Sequence, residues 1–277
     1  MTQRILSAVA AREAVHLLIL QELAKVKKGA AVVLKGGVNL RLFFNSIRYS
    51  EDMDLDGVPE CADAIRSCIT GVFDDHGFTR KLRGIGIREL DRGEGPNKDT
   101  ETTFRYKFGV VMKGGIHHPT KVEVSFRDPY AGDKSVVSVP ATRLVADYGI
   151  DAVPVRSYRR DAAVRQKIDA LGGRMEAQAR DVFDLSFLVS GGTDEALLTF
   201  LARGLSPGRL KEALERAYTI TVEEYEGKVL EFLDDKARVR FGTEDAWAEV
   251  QLKAAELIET VLKRQGKHEA GSEGNLE

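Results

Sequence analysis

The sequence predicts an α+β protein: a mixed-sheet N-terminal half followed by an all-helical C-terminal half. Three observations carry this. Strand-like and helix-like stretches alternate up to about residue 140, strand signals fade beyond it, and helical periods fill the remainder. We place the boundary at 1–150 and 151–277. The length, 277 residues, suits one large or two modest domains.

Residues 4–27 carry a helical apolar period through Ile5, Val9, Leu17 and Leu20. Residues 30–35, with the apolar run Ala30–Leu34, read as a strand, 37–46 as a short helix, and 52–56 as a second strand with Met53 and Leu55 alternating with aspartates. Cys61–Asp75 reads as a helix closed by Gly77. From 79 to 128 the pattern is β, clearest at Thr103–Val111 and Lys121–Phe126. Arg92–Asp99 reads as a hairpin loop and Gly114–Pro119, with His117 and His118, as a surface turn. Helices are predicted over 159–171, 175–190, 194–204, 207–218, 221–235 and 244–264, with a frayed tail from Gln265.

Composition excludes several classes. Hydrophobic content of 43% and charged content of 30% are ordinary for a globular chain. No apolar run nears the roughly 18 residues that span a bilayer, and no secretory signal pattern opens the sequence. Cys61 and Cys68, one helix face but seven residues apart, cannot bond each other, so a reduced cytoplasmic protein is expected. The net charge of −2 excludes a globally basic nucleic-acid binder, although basic residues cluster at 25–28, 80–88 and 156–167. The last cluster favours a polyanionic partner.

Residues 34–56 carry the chemistry. Lys35-Gly36-Gly37 ends the first strand and opens a helix, where glycines let the backbone approach a phosphate and helix N–H groups point at it. Ser50-Glu51-Asp52-Met53-Asp54 follows. Aspartates two apart on a strand share a face, which suits divalent cations. A third carboxylate from a neighbouring strand would complete the cage, and Glu123 in Lys121–Ser125 is the candidate. A phosphate cradle followed by a metal clamp is the layout of a nucleotidyltransferase. The same acids also fit the spacing of a calcium loop, Asp52-x-Asp54-x-Asp56-Gly57 with Asp63 at the end. Pro59 removes a needed backbone N–H, Asp63 is shorter than the usual glutamate, and Met53 and Leu55 are apolar, so the strand reading is preferred. Downstream, Asp181 and Asp184 share a helix face. Read alone they are capping or surface residues; the alternative is that Lys167 neutralises a triphosphate, with Asp181 orienting it or reaching the base. The five histidines show no metal-ligand spacing.

Lys35-Gly36-Gly37-Val38-Asn39-Leu40-Arg41-Leu42, Ser50-Glu51-Asp52-Met53-Asp54-Leu55-Asp56, Lys167 and Arg180-Asp181-Val182-Phe183-Asp184-Leu185, in this order, resemble the AbiEii family over residues 30–190. These are nucleotidyltransferase toxins of bacterial toxin–antitoxin and abortive-infection systems, among them the mycobacterial MenT toxins. The resemblance implies a polymerase-β-like fold with a helical C-terminal lobe that contributes Lys167 and Asp181 to the site. It implies Asp52, Asp54, Lys167 and Asp181 as catalytic residues. Asp52 and Asp54 would bind Mg²⁺ (or Mn²⁺) together with Glu123, and Lys35, Gly36, Gly37, Ser50 and Asp184 would bind the nucleotide. The implied reaction moves a nucleotide from an NTP to the 3′ acceptor end of tRNA, which blocks translation. An antitoxin is the implied partner, in some relatives a kinase acting on the serine that matches Ser50. Two other readings keep the residues: transfer to a protein or small molecule, or a silent nucleotide-binding module.

Overall fold

The computed structural model describes residues 6–93, 95–127 and 134–273, with the side chains of Lys28 and 267–273 left aside. The chain divides into two compact units. The first comprises residues up to Asn45 and Tyr49–Arg159; the second comprises Ser46–Arg48 and everything from Arg160.

Among the described residues, the first unit is built on a mixed eight-stranded sheet. In chain order its strands are β1 (Val32–Lys35), β2 (Met53–Gly57), β3 (Ile87–Asp91), β4 (Pro96–Thr100), β5 (Thr103–Met112), β6 (His117–Ser125), β7 (Ser135–Ser138) and β8 (Val155–Tyr158). Across the sheet they run β3-β5-β6-β2-β1-β8-β7, with β4 on the far half of β5. β2 is antiparallel to β1 and parallel to β6. The apolar face of β2, β5 and β6 is fully buried: Met53, Leu55, Val122, Val124, Phe104, Tyr106 and Phe108. Helix α1 (Ala8–Leu23) is buried along most of its length and packs on β5 and β6. The short helix α2 (Gly36–Phe43) follows β1 without a loop. Two polar anchors hold it: Asn39 donates its Nδ2 amide to the Tyr158 carbonyl at 3.1 Å, and Arg41 pairs with Glu13 of α1 at 2.8 Å.

Several local expectations change. Residues 76–84 form a helix (His76–Gly84) rather than strand, because Asp75 caps the N–H groups of Gly77 and Phe78 while Phe78 and Leu82, one turn apart, are buried together. The expected loop at 92–99 becomes β4, whose polar side chains gave no apolar alternation to read. β6 starts at His117, so His117 and His118 are strand residues rather than a turn. β8 lies in a stretch where no strand was expected, since four residues are too few to show a period. The last helix runs on from Glu244 to Glu273; of the expected frayed tail, residues 274–277 lie outside those described.

In the second unit, α6 (Arg160–Gly173) packs on α7 (Ala179–Leu188) and α9 (Pro207–Thr219), and α12 (Glu244–Glu273) on α7, on α8 (Glu195–Gly204) and on α9. An aromatic cluster seals it: Tyr225 stacks on Trp247 at 4.3 Å and Phe183 meets Phe241 edge-on at 5.5 Å. No helix among the described residues is long and apolar enough to cross a membrane.

One buried polar relay braces the segment before β2. His16 of α1, fully buried, donates from Nε2 to Thr120 Oγ1 at 2.9 Å, and Thr120 donates to the Glu51 carbonyl at 2.6 Å. Burial, with Arg12 adding to it, pushes the His16 imidazole down to about 3. The unfolded chain binds a proton at His16 near pH 6.5 that the folded chain refuses. Stability is therefore full above about pH 6.5 and falls as pH drops toward 3. Lowering the pH from 7.5 to 5 should cost about 2 kcal/mol from this group alone. His16→Gln should flatten that loss in urea titrations at the two pH values.

Candidate active site

The register of the sheet sets four charged side chains in one row. Lys35 of β1 pairs with Asp54 of β2, Asp54 with Glu123 of β6, and Glu123 with Arg105 of β5. Directly opposed residues point the same way, so the row lies on the face opposite the apolar core. Asp52, Asp56 and Lys121 share that face by strand alternation. Three of these acids have a cation of their own. Asp52 pairs with Lys121 at 3.0 Å. Glu123 takes a 2.6 Å hydrogen bond from Arg105 Nε. Asp56, buried, takes Lys35 Nζ at 2.5 Å and the Tyr158 hydroxyl at 2.6 Å.

Asp54 differs. Among the described residues no hydrogen bond or ion pair closes on its carboxylate. Its surroundings push its proton affinity up: burial is the main cause, and Asp52 and Glu123 add to it against the opposing charges of Lys35 and Lys121. Glu123 goes the other way. Burial opposes its ionisation, but the hydrogen bond and charge of Arg105 outweigh that and hold it below the ordinary carboxylate range.

The glycine pair sits against this row. Gly36 has φ +67°, and a β-carbon there would lie 2.9 Å from Asp54 Oδ2. Only glycine combines that backbone with that contact. α2 begins at this residue, so the N–H groups of its first turn, which no intrahelical carbonyl uses, stand at the edge of the carboxylate row. Ser50 lies just ahead of β2 and donates its hydroxyl to the Asp52 carbonyl at 2.8 Å. Lys35, Gly36, Gly37, Ser50, Asp52, Asp54 and Glu123 thus all belong to one unit and one end of its sheet.

Among the described residues no three His, Cys, Asp or Glu side chains converge as a ready metal nest. That does not disqualify a magnesium-type ion, which is usually held by one or two carboxylates together with substrate phosphates. The donor set fits: oxygen ligands only, with Asp54 partly accessible and in no ion pair among the described residues.

Lys167, Asp181 and Asp184 lie in the second unit and form a cluster there. Lys167 Nζ reaches Asp181 at 2.9 Å and Asp184 at 2.6 Å. Arg48 binds Asp184 through Nε at 2.9 Å and a second nitrogen at 2.7 Å, a bidentate pair. Arg174 stands 3.4 Å from the second oxygen of Asp181. Both aspartates are fully buried. Burial favours the neutral carboxyl of Asp184, yet Arg48 and Lys167 hold it far below the ordinary range. The same carboxylates raise Lys167 despite its burial.

Three of the cations that partner the acids, Arg105, Lys121 and Arg48, were not singled out from the sequence. Arg105 and Lys121 were readable as polar interruptions of apolar strands, Phe104-Arg105-Tyr106 and Thr120-Lys121-Val122. Arg48 left no such signal, because its pairing with Asp184 spans residues far apart in sequence.

Two outcomes follow. Gly36→Ala should cost about 1–3 kcal/mol for the positive-φ backbone, measured by denaturant unfolding, and should disturb Asp54. Lys167→Met should destabilise the protein by about 3–5 kcal/mol, because it takes the 2.9 Å hydrogen bond from buried Asp181 and one of two cations from buried Asp184.

Against known proteins, the family model described as "Nucleotidyl transferase AbiEii toxin, Type IV TA system" matches residues 18–259. Among solved structures, the fold is similar to JHP933 from Helicobacter pylori, at 20% identity and TM-score 0.56, covering 99% of this chain and 100% of that one. It is also similar to MenT4, a nucleotidyltransferase toxin from Mycobacterium tuberculosis H37Rv, at 18% identity and TM-score 0.59, covering 93% of each chain. No curated protein matches significantly. The family match spans both the carboxylate row and the Arg180–Leu185 block. The chain belongs to the AbiEii nucleotidyltransferase toxins of type IV toxin–antitoxin systems.

Proposed function

We propose that this toxin transfers a nucleotide from an NTP to the 3′ end of tRNA with Mg²⁺ as its metal, and so stops translation. Asp54 is the observation that carries the reading. It is an acid with no ion pair among the described residues, flanked by Asp52 and Glu123, against the glycine that opens α2. Enzymes of this kind use an NTP and a divalent metal. Here Asp52 and Asp54, with Glu123 beside them, would hold the metal, which supplies charge neutralisation at the phosphates. Gly36, Gly37 and the first turn of α2 would seat the phosphates, with Lys35 adding positive charge at the strand end. The tRNA acceptor is supported by the resemblance to family members that act on it and by the basic residues at 156–167, which suit a polyanionic partner.

In the reaction the 3′-hydroxyl oxygen bonds to the α-phosphorus and the α–β phosphoanhydride breaks. Pyrophosphate leaves with the electron pair and the hydroxyl proton passes to solvent. Little covalent chemistry is asked of the protein; alignment and charge do most of it.

The family implies a cognate antitoxin. We place its point of control at Ser50, with a kinase as the agent. A phosphate there adds about −1.5 to −2 charge two residues from Asp52, where the substrate's own phosphates would sit.

The test is incubation of the protein with total tRNA, Mg²⁺ and each α-labelled NTP, with Asp52→Ala alongside. Label on tRNA, reduced at least about 100-fold in a variant that still folds, is the expected result. Label on protein, or on nothing, would overturn the tRNA assignment; an unfolded Asp52→Ala would show the aspartate to be structural.

A further inference from the structure

The face that carries the carboxylate row continues along β5 and β6 into a cavity of about 570 Å³. Asp91 of β3, Asn97 of β4, Lys107 and Gly109 of β5, and His117 and Pro119 of β6 line it. The register pairs Lys107 with Lys121 and Gly109 with Pro119, so the cavity begins one step from the Arg105–Glu123 pair. At about 3.4 Å per residue it extends from about 7 to about 20 Å along β6 from Glu123. All of this lies in the first unit.

Three features of the cavity are built rather than incidental. A glycine stands at position 109, mid-strand, because the His117 ring lies over it: a β-carbon there would fall 1.7 Å from Nε2. Crossing β5 in this way, His117 reaches Asp91 on β3 and donates from Nε2 to Oδ2 at 3.1 Å. Asp91 also takes the Gly93 N–H, so its charge is engaged. Asn97 is the extra residue of a bulge between Pro96 and Lys98, a device that re-aims a side chain. Its Oδ1 takes the Lys107 N–H at 3.2 Å, which leaves its amide donors to the cavity. Lys107 itself is exposed, and no ion pair among the described residues involves its ammonium.

An ammonium without a partner, an amide donor and a half-exposed imidazole are the groups that hold a single-stranded nucleotide: phosphate, base edge and ring face. The position says which nucleotide. The α2 cradle follows β1, and the cavity lies over β6, β5 and β3, on the other side of β2. An in-line displacement needs the leaving and attacking oxygens on opposite sides of the phosphorus. We propose that this cavity seats a nucleotide of the single-stranded 3′ end of the RNA acceptor, with Lys107 on its phosphate and Asn97 and His117 on its base and sugar. This rests on the RNA-acceptor reading above.

The probe is a fluorescein-labelled single-stranded RNA decamer with a free 3′-hydroxyl, bound to the full chain and followed by anisotropy. Lys107→Ala and His117→Ala should each raise its Kd about 5- to 20-fold, in line with the loss of one phosphate or base contact. Lys107→Ala should also lower the slope of log K against log salt by about 0.7, the single-strand value per phosphate. Lys107→Arg should retain the slope, and the KM for NTP should be unchanged in all three. If the wild type labels tRNA while RNA binding by both alanine variants is unaltered, the cavity assignment falls and the function stands. A rise in the KM for NTP in place of the RNA effect gives the cavity to the donor and likewise overturns the assignment. If the wild type neither binds nor labels RNA, the RNA reading fails and the assignment fails with it.

Discussion

The pairing of β2 between β1 and β6 is the constraint on which the first unit depends. It aligns Lys35, Asp54, Glu123 and Arg105 across four strands and, with the same register, buries Met53 and Leu55 against the core. Strand side chains alternate with a period of two, so a slip by one residue would turn the aspartates into the core and the apolar pair outward. The core therefore fixes the site. Gly36 and α1 add to this: the glycine admits the start of α2 to Asp54, and the His16–Thr120–Glu51 relay holds the segment that leads into β2.

The two units handle charge in different ways. In the second unit Arg48 and Lys167 meet the fully buried Asp181 and Asp184 in one cluster, where each acid has a cation. Removing one member of such a cluster is costly, because the remaining charge stays buried. In the first unit Lys121, Arg105 and Lys35 each take one acid, and Asp54 is left over. A partly accessible acid that the fold does not neutralise is a departure from local consistency, and such departures mark functional positions. On the function proposed above, a divalent cation would supply charge at this carboxylate.

Much of this was legible in the sequence where one short segment held the signal. The Gly36-Gly37 turn into a helix and the alternation of Asp52, Met53, Asp54 and Leu55 need only local chemistry, and β2 and α2 lie where that chemistry puts them. Glu123 was readable because Val122 and Val124 flank it. Less legible were elements whose form depends on distant partners. β8 has four residues and exists because β1 and β7 pair with it. β4 is polar throughout and is held by β5. His117, readable as a turn residue beside glycines, is a strand residue whose ring needs Gly109 on the neighbouring strand. Arg48 belongs with the second unit, although it lies only a few residues before β2 in the sequence.

The most direct measurement is the thermal unfolding of wild type and Asp54→Asn, each with and without Mn²⁺ in the presence of a non-hydrolysable NTP analogue. If Asp54 is the acid that a metal neutralises, metal at about 100 times its Kd should stabilise the wild type by about 2.7 kcal/mol. Asp54→Asn should be at least as stable as wild type without metal, because the uncompensated charge is gone, and should not respond to Mn²⁺. An equal metal response in both proteins, or a metal-free Asp54→Asn that is markedly less stable than wild type, would contradict the account.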